Sequence, residues 1–251
     1  MTSLRPRCCP LVERATLWRQ RGLSLMLASP ALALVEPPHQ LWRVEREDPP
    51  LRFSQINAVD ALLERSGNRF DVAGAGVLYA ATSQEGAYAE TLAAFRPSAS
   101  LLAKLQAAGM DAGLPGPGEV PRSWRLDRRL RALTLSNPLP FVDIDAPATH
   151  TYLTRNVARI LSDIGVNSLD IATVRGPNRF LTRSLAAWLY AQTDEHARPL
   201  YSGIRYGSRL GPHECWAVFD GTAVSLIREV TVEADSPALR TVAAAFGLAL
   251  H

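Results

Sequence analysis

The chain has 251 residues, of which 47% are hydrophobic and 20% are charged, and its formal net charge is +3. These values are typical of an ordinary globular protein, and they exclude a disordered or fibrous chain. The positive charge is carried by arginine, since Lys104 is the only lysine. This charge is compatible with an anionic ligand, but it is too small to indicate nucleic-acid binding by itself.

The N-terminal segment has some features of a secretory leader. Leu23 to Val35 is mostly apolar and follows several arginines, but Pro30 and two serines interrupt it, and it is too short to span a bilayer. Met26 is a plausible alternative start. We therefore expect residues 1–37 to be an extension, residues 38–251 to form one domain, and the protein to be cytoplasmic with no membrane partner.

The cysteines and histidines do not predict a metal site or a disulfide framework. Cys8 and Cys9 are adjacent, Cys215 is far away, and the five histidines are scattered without any metal-binding spacing. We therefore expect no metal and a reducing environment.

The clearest secondary-structure signal lies between residues 76 and 97. Gly76 to Ala81 reads as a short strand, Ser83 is a suitable N-cap for a helix that runs to about Phe95, and Pro97 helps to end it. The segment Gly113 to Pro121, rich in proline and glycine, is predicted to be an irregular surface loop within the same domain.

The rest of the chain mixes strand and helix patterns without a regular βαβ rhythm. Strands are predicted over 130–135, 141–144, 201–206, 216–220, 224–227 and 230–232. Helices are predicted over 152–164, around 180–189, and from Ser236-Pro237 onward. This mixture predicts an α+β fold.

Five side chains are candidates for one site, and two of them, Tyr79 and Glu90, lie in the predicted strand and helix. Glu90 lies on a helix face with Gly86, Ala87, Ala93 and Ala94, whose small side chains would leave a carboxylate open to a large ligand. Tyr79 lies near the end of the preceding strand, so its ring and Glu90 would approach one crevice. By themselves, a solvated helix glutamate and a core tyrosine remain the commoner interpretations.

Arginine and serine candidates come from separate parts of the chain. Arg43 follows Trp42 in a short apolar setting, where a guanidinium group needs an anionic partner, and Arg69 precedes the Tyr79 strand. Ser208 begins a turn after the strand that ends at Tyr206, and no GxSxG motif surrounds it, so we do not assign it as a nucleophile. Surface ion pairs and a turn serine are the alternative interpretations.

A basic run lies at the middle of the chain. Its intervening apolar residues favour a solvated edge or a partner-facing surface over a nucleic-acid site. The run contains Arg122, Arg125, Arg128, Arg129 and Arg131. We expect no direct nucleic-acid partner.

Over roughly Gln40 to Asp220, the ordered blocks of this sequence resemble the RES domain family. The blocks are Trp42-Arg43, Asn68-Arg69-Phe70, Leu78-Tyr79-Ala80 with Glu90, Gly203 to Ser208, and Cys215 to Phe219. Asn68 to Asp71 departs from the Gly-Arg-Trp-Asn-like segment of many relatives.

The resemblance implies a fold similar to ADP-ribosyltransferases and the toxin of a bacterial type II toxin–antitoxin pair. It implies NAD⁺ as substrate and no separate cofactor, with Glu90 and Arg43 as catalytic residues. Arg43, Arg69, Tyr79 and Ser208 would bind the substrate. An Xre-type antitoxin would be the protein partner.

Several functions stay open at this point. The favoured hypothesis has water or phosphate as the acceptor of the ADP-ribosyl group. An alternative hypothesis has a protein side chain as the acceptor. Another alternative is a non-catalytic binding protein with the same fold, and a third is a nucleic-acid-directed protein that uses the basic run. The sequence also leaves the oligomeric state open.

Overall fold

The computed structural model describes residues 31–64, 66–109 and 118–251. Its strands are β1 (Leu34–Val35), β2 (Leu41–Arg46), β3 (Ser54–Gln55), β4 (Gly76–Ala81), β5 (Glu119–Val120), β6 (Arg128–Ser136), β7 (Phe141–Asp143), β8 (Gly203–Gly207), β9 (Glu214–Phe219), β10 (Ala223–Thr231) and β11 (Ala249–Leu250).

The helices surround these strands. They are α1 (Ala58–Ala61), α2 (Gln84–Leu92), α3 (Ala99–Ala107), α4 (Arg122–Leu126), α5 (Pro147–Asn156), α6 (Ala158–Asp163), α7 (Ile171–Arg175), α8 (Arg179–Tyr190) and α9 (Pro237–Phe246), and a 3₁₀ turn at Ala93–Phe95 extends α2. Within the described ranges, no helix is both long enough and apolar enough to span a membrane.

The main sheet is mixed. Its described strands run in the order β1-β7-β8-β9-β4-β2-β6-β10, and β3 pairs with β4 as the ninth strand. β7 and β8 are parallel, whereas β4 pairs antiparallel with both β2 and β9. A mixed sheet with surrounding helices confirms the α+β prediction. β4 therefore lies inside the sheet, where its residues can support a site.

Side chains of β4 alternate between two hydrophobic clusters. Leu78 and Ala80 belong to the smaller cluster, whereas Val77, Ala81 and the partly buried Tyr79 pack with the larger one. This alternation follows from the two-residue repeat of a strand. Tyr79 is consequently on the face of the sheet that α2 covers.

Helix α2 begins where the sequence predicts. The Ser83 hydroxyl oxygen accepts a hydrogen bond of 3.1 Å from the Gly86 N–H, which satisfies one of the free donors at the helix start. A Cβ atom at Gly86 would lie 2.9 Å from the Cβ of Ala81, so glycine permits the close approach of α2 to β4. The strand, the cap and the helix predicted over this segment are confirmed.

Two predicted boundaries are wrong. The single helix expected over 152–164 is two helices, α5 and α6, separated at Val157, and α5 starts earlier because Pro147 fits a first helical turn. The loop expected to reach Pro121 contains β5, which pairs in parallel with β11. That pairing joins distant parts of the chain, so no local pattern reveals it. The first part of the expected loop lies outside the described residues.

The segment expected as two short strands over 224–232 is one strand, β10, with a register shift between Leu226 and Arg228. The register shift explains the interrupted pattern. Within the predicted extension 1–37, residues 1–30 lie outside the described ranges, as do Cys8 and Cys9, and β1 pairs antiparallel with β7 at one edge of the main sheet.

The prediction of a solvated edge for the basic run is wrong at two positions. Arg125 and Arg131 are buried. Arg125 donates hydrogen bonds to the carbonyl oxygens of His251 and Val232, whereas Arg131 is paired with two carboxylates. Internal acceptors satisfy the N–H donors of both guanidinium groups, and the carboxylates also compensate the charge of Arg131.

Candidate active site

A cavity of about 610 Å³ opens between β2, the middle and end of α2, and the turn after β8. Its volume lies in the range typical of sites for small organic ligands and cofactors. The candidate residues that line it are Arg43, Arg69, Tyr79 and Glu90. Ser208 reaches the same site through a hydrogen bond to Glu90. The structure thus brings together all five residues selected from the sequence.

Arg43 lies in the middle of β2, and protein groups hold its guanidinium from three directions. Nε donates to Glu45 Oε2 at 2.7 Å, one terminal nitrogen to the Tyr79 carbonyl at 2.6 Å, and the other to the Arg52 carbonyl at 3.1 Å. Guanidinium has five N–H donors, so two remain for a ligand. The anionic partner that the sequence required for Arg43 is therefore Glu45, two residues further along the same strand.

Arg69 is held beside two aromatic rings. The centre of its guanidinium lies 5.2 Å from the Phe70 ring centroid and 5.5 Å from that of Tyr206, within the range of cation–π contacts. One terminal nitrogen donates to the Val174 carbonyl, while the buried Nε has no hydrogen-bond partner among the described residues. Burial lowers the pKa of Arg69 below its ordinary value. An anionic ligand would offset this desolvation.

Tyr79 supports the site through its side-chain hydroxyl and its backbone carbonyl. Its hydroxyl donates to Asp71 Oδ1 at 2.8 Å and accepts from the Phe70 N–H at 3.1 Å, and its carbonyl accepts from Arg43. Burial, followed by the charge of Asp71, raises the pKa of Tyr79 well above its ordinary value, so the phenol stays protonated at neutral pH. Tyr79 is also one of the residues that line the cavity.

Glu90 is exposed to solvent at the cavity surface. Its Oε1 accepts a 2.6 Å hydrogen bond from the hydroxyl of the buried Ser208, and the Ser208 oxygen in turn accepts from the Leu210 N–H at 3.0 Å. The Cys215 thiol lies 3.8 Å from the same oxygen. No described residue donates a hydrogen bond to Oε2, which leaves this oxygen available to a ligand.

Sequence reasoning missed several cavity residues. Tyr206 lines the cavity two residues before Ser208. Arg46, Arg52 and Arg209 also line it, and their guanidinium groups have no hydrogen bond or ion pair to another described residue. Arg46 and Arg209 lie close in sequence to the selected Arg43 and Ser208, which was the available signal. Arg52 follows β2 in a loop and carries no such signal.

The charges of the site favour an anionic ligand that also offers an electron-poor centre. The arginines that line the cavity outnumber its acidic residues Glu45, Asp48 and Glu90, and guanidinium groups suit phosphate oxygens. Glu90 is the acidic residue of the selected set and can stabilise developing positive charge on a bound ligand. Within the part of the chain that the structure describes, no cluster of three or more His, Cys, Asp or Glu side chains could hold a metal ion.

Comparison with known proteins gives two similarities. The family described as RES domain matches residues 40–240. No curated protein matches the sequence. The structure is similar to a chain in the crystal structure of the M. tuberculosis MbcT-MbcA toxin-antitoxin complex, with 15% sequence identity, a TM-score of 0.44, and coverage of 84% of this chain and 92% of that chain.

The family match includes every selected site residue, from Arg43 to Ser208. It also extends over most of the described structure, from the start of β2 into α9. The chain therefore belongs to the RES domain family.

Proposed function

We propose that this protein cleaves the nicotinamide–ribose bond of NAD⁺ as the toxin of a toxin–antitoxin pair. The observation that carries the proposal is that the Glu90 carboxylate shares one cavity with Arg43, Arg69 and Tyr79. A dinucleotide has a pyrophosphate for the arginines and a glycosidic carbon for the carboxylate. Membership of the RES domain family supports the same choice of substrate.

Glu90 is the residue that acts on the reacting bond. Departure of neutral nicotinamide leaves positive charge on the ribose, and a carboxylate stabilises this oxocarbenium-like state more than it stabilises the ground state. Its free Oε2 is available to the ribose hydroxyls, while Ser208 holds Oε1. We infer that Ser208 also helps to orient the ribose or nicotinamide.

The arginine-rich part of the cavity holds the rest of the substrate. Arg43 and Arg69 donate charge-assisted hydrogen bonds to the pyrophosphate, and Tyr79 packs against a ring of the ligand. The free guanidinium groups of Arg46, Arg52 and Arg209 add favourable electrostatic potential for the same anion. NAD⁺ is consumed as substrate in this scheme, and no further cofactor takes part.

The acceptor is water or inorganic phosphate, and the two reactions share the same first bond cleavage. Attack by water on the ribosyl cation gives ADP-ribose and a proton, whereas attack by phosphate gives ADP-ribose 1″-phosphate. A protein side chain could intercept the same cation, which would make the chain an ADP-ribosyltransferase.

A cytoplasmic location and a partner antitoxin complete the proposal. NAD⁺ is an intracellular metabolite, so an enzyme that depletes it would harm its own cell unless another protein restrained it. The family suggests an Xre-type antitoxin as that protein. The antitoxin proposal can be tested in two steps. The product of the neighbouring open reading frame should co-purify with this protein, and it should inhibit the loss of NAD⁺.

The decisive experiment is mass spectrometry of NAD⁺ incubated with the purified protein, with and without phosphate. The proposal predicts nicotinamide in both reactions, with ADP-ribose or its 1″-phosphate identifying the acceptor. Intact NAD⁺ in both reactions would contradict the enzymatic proposal and leave the non-catalytic binding protein as the better account.

A further inference from the structure

Glu45 is a buried carboxylate on β2, two residues after Arg43. Residues two apart on a strand share a face, so the two side chains lie beside each other. Glu45 Oε2 accepts from Arg43 Nε at 2.7 Å, while Oε1 accepts from a terminal nitrogen of Arg131 at 2.8 Å and from the Leu51 N–H at 2.7 Å. One carboxylate thus joins the cavity arginine to a second arginine and to the loop after β2.

Arg131 holds the Glu45 carboxylate in a fixed position. It is 2% exposed, and its Nε donates to Glu229 Oε2 at 2.6 Å. Its terminal nitrogens donate to the carbonyls of Arg46 and Glu47 as well as to Glu45. Arg131 is buried and bonded in several directions, so Glu45 is held in place. If Arg43 changed rotamer, Glu45 could move with it only by breaking its buried contacts to Arg131.

The bonds to Arg43 determine which of its N–H groups face a ligand. Glu45, the Tyr79 carbonyl and the Arg52 carbonyl take one donor from each nitrogen of the planar guanidinium. Of these three acceptors, only Glu45 is a side chain, and it alone carries charge. It is therefore the contact that a substitution can remove without altering the backbone.

We propose that Glu45 is a positioning residue that fixes the Arg43 guanidinium for binding the phosphates of the substrate. The inference rests on the proposed function and extends it to a residue that does not itself meet the reacting atoms. Glu45 also lines the cavity. A simpler role would be charge compensation between two arginines, and the two roles predict opposite effects on an anionic ligand.

Two substitutions separate these roles. Glu45→Gln removes a negative charge beside the cavity, so a charge-compensation role predicts tighter binding of an anion. Positioning predicts weaker binding, because an amide cannot accept from both Arg43 and Arg131 with its two ends. Glu45→Asp keeps the charge but shortens the side chain, so charge compensation predicts little change whereas positioning predicts a loss.

The experiment measures KM and kcat for NAD⁺, together with the dissociation constant of ADP by calorimetry. We expect both variants to raise KM and the ADP dissociation constant by roughly tenfold, the loss expected for one charge-assisted hydrogen bond, while kcat changes less than KM. Glu229→Gln is the matched control. It removes another carboxylate from Arg131 but has no contact with Arg43, so it should lower thermal stability without changing the ADP dissociation constant.

Each outcome decides the inference. Tighter ADP binding by Glu45→Gln, or wild-type affinity in Glu45→Asp, would overturn the positioning role. Equal weakening in Glu229→Gln would also overturn it, because general loosening of the sheet would then explain the effect. If a Glu45 variant does not fold, the other one and the control decide. A wild-type protein that binds ADP but leaves NAD⁺ intact would refute the proposed reaction alone, and one that neither binds ADP nor cleaves NAD⁺ would refute both.

Discussion

The two sides of the cavity are built differently. On the arginine side, defined by Arg43, Glu45 and Arg131, buried ion pairs and backbone carbonyls hold each charged group in several directions. On the glutamate side, defined by Glu90 and Ser208, an exposed carboxylate accepts a hydroxyl hydrogen bond at Oε1 and has Oε2 free of such bonds among the described residues.

This difference matches two chemical tasks. Binding a pyrophosphate needs guanidinium groups whose orientation is set before the ligand arrives, since each ordered side chain then loses less entropy. Stabilising a ribosyl cation needs a carboxylate that is not already neutralised by a cation. Glu90 forms no ion pair with any residue that the structure describes, whereas Arg43 is paired with Glu45. Substitutions on the arginine side should therefore raise KM for NAD⁺, whereas substitutions on the glutamate side should lower kcat.

The largest effect is expected for Glu90→Gln. Loss of the carboxylate charge should lower kcat on the order of 100- to 1,000-fold, as removal of one electrostatic transition-state contact does in other enzymes, with a smaller change in KM. Steady-state kinetics with NAD⁺ measure it. Glu85→Gln, in the first turn of the same helix, is the control and should retain activity. A Glu90→Gln enzyme with full kcat would break the comparison.

The next effect is expected for Arg43→Lys. Lysine keeps the charge but cannot reproduce the three-directional bonds of the guanidinium, so KM for NAD⁺ should rise about 10- to 100-fold while kcat falls less. The same kinetic assay reports both constants. A pure loss of kcat would show that the division between the two sides is wrong.

Tyr79→Phe tests whether the hydrogen bonds of the Tyr79 hydroxyl stabilise the fold around the cavity. It removes the hydroxyl between Asp71 and the Phe70 N–H, which should lower the free energy of unfolding by about 1–3 kcal/mol. Denaturant unfolding measures the change. Tyr152→Phe is the control, because the Tyr152 hydroxyl makes no hydrogen bond to another residue of the described ranges, and it should have a smaller effect. Equal stability losses would argue against a structural role for the Tyr79 hydroxyl.

Ser208→Ala sharpens the account of the glutamate side. When the Ser208 hydroxyl is removed, Glu90 loses the hydrogen bond that orients Oε1. We expect kcat to fall about tenfold, which is less than in Glu90→Gln. A loss as large as that of Glu90→Gln would instead indicate that Ser208 contacts the reacting atoms directly. Single-turnover measurements separate this step from product release.

The smallest effect concerns high pH. Burial raises the pKa of Tyr79 and of Tyr206 well above the value of about 10 in an unfolded chain. Their contribution to stability is therefore complete below pH 10 and declines as pH rises above it, because the unfolded chain then releases these protons first. Unfolding free energies measured from pH 9 to 11 should fall, with a shallower slope in Tyr79→Phe. An unchanged slope would count against burial of this phenol.

The sequence predicted the parts of the site that depend on local pattern. The strand Gly76–Ala81, the Ser83 cap and helix α2 follow from adjacent residues, and together they fix Tyr79 and Glu90. Arg43, Arg69 and Ser208 were candidates from their apolar, strand-preceding and turn settings, and the RES-like blocks supported all three. Their substrate roles stay predictions until a ligand is studied.

Other parts depend on contacts that no local pattern contains. Arg131 looked like one member of a solvated basic run, yet Glu45 and Glu229 from different strands compensate its charge inside the sheet. The pairing of β5 with β11 joins segments more than a hundred residues apart. Glu45 was passed over for the same reason, because its importance comes from the two arginines that meet there.

The most direct test of the central claim is a crystal structure of Glu90→Gln with NAD⁺ bound. The account predicts a pyrophosphate against Arg43 and the nicotinamide ribose beside residue 90, with the side chain about 3.5 Å from the sugar atoms it contacts. NAD⁺ bound elsewhere on the protein, with this cavity empty, would contradict the account.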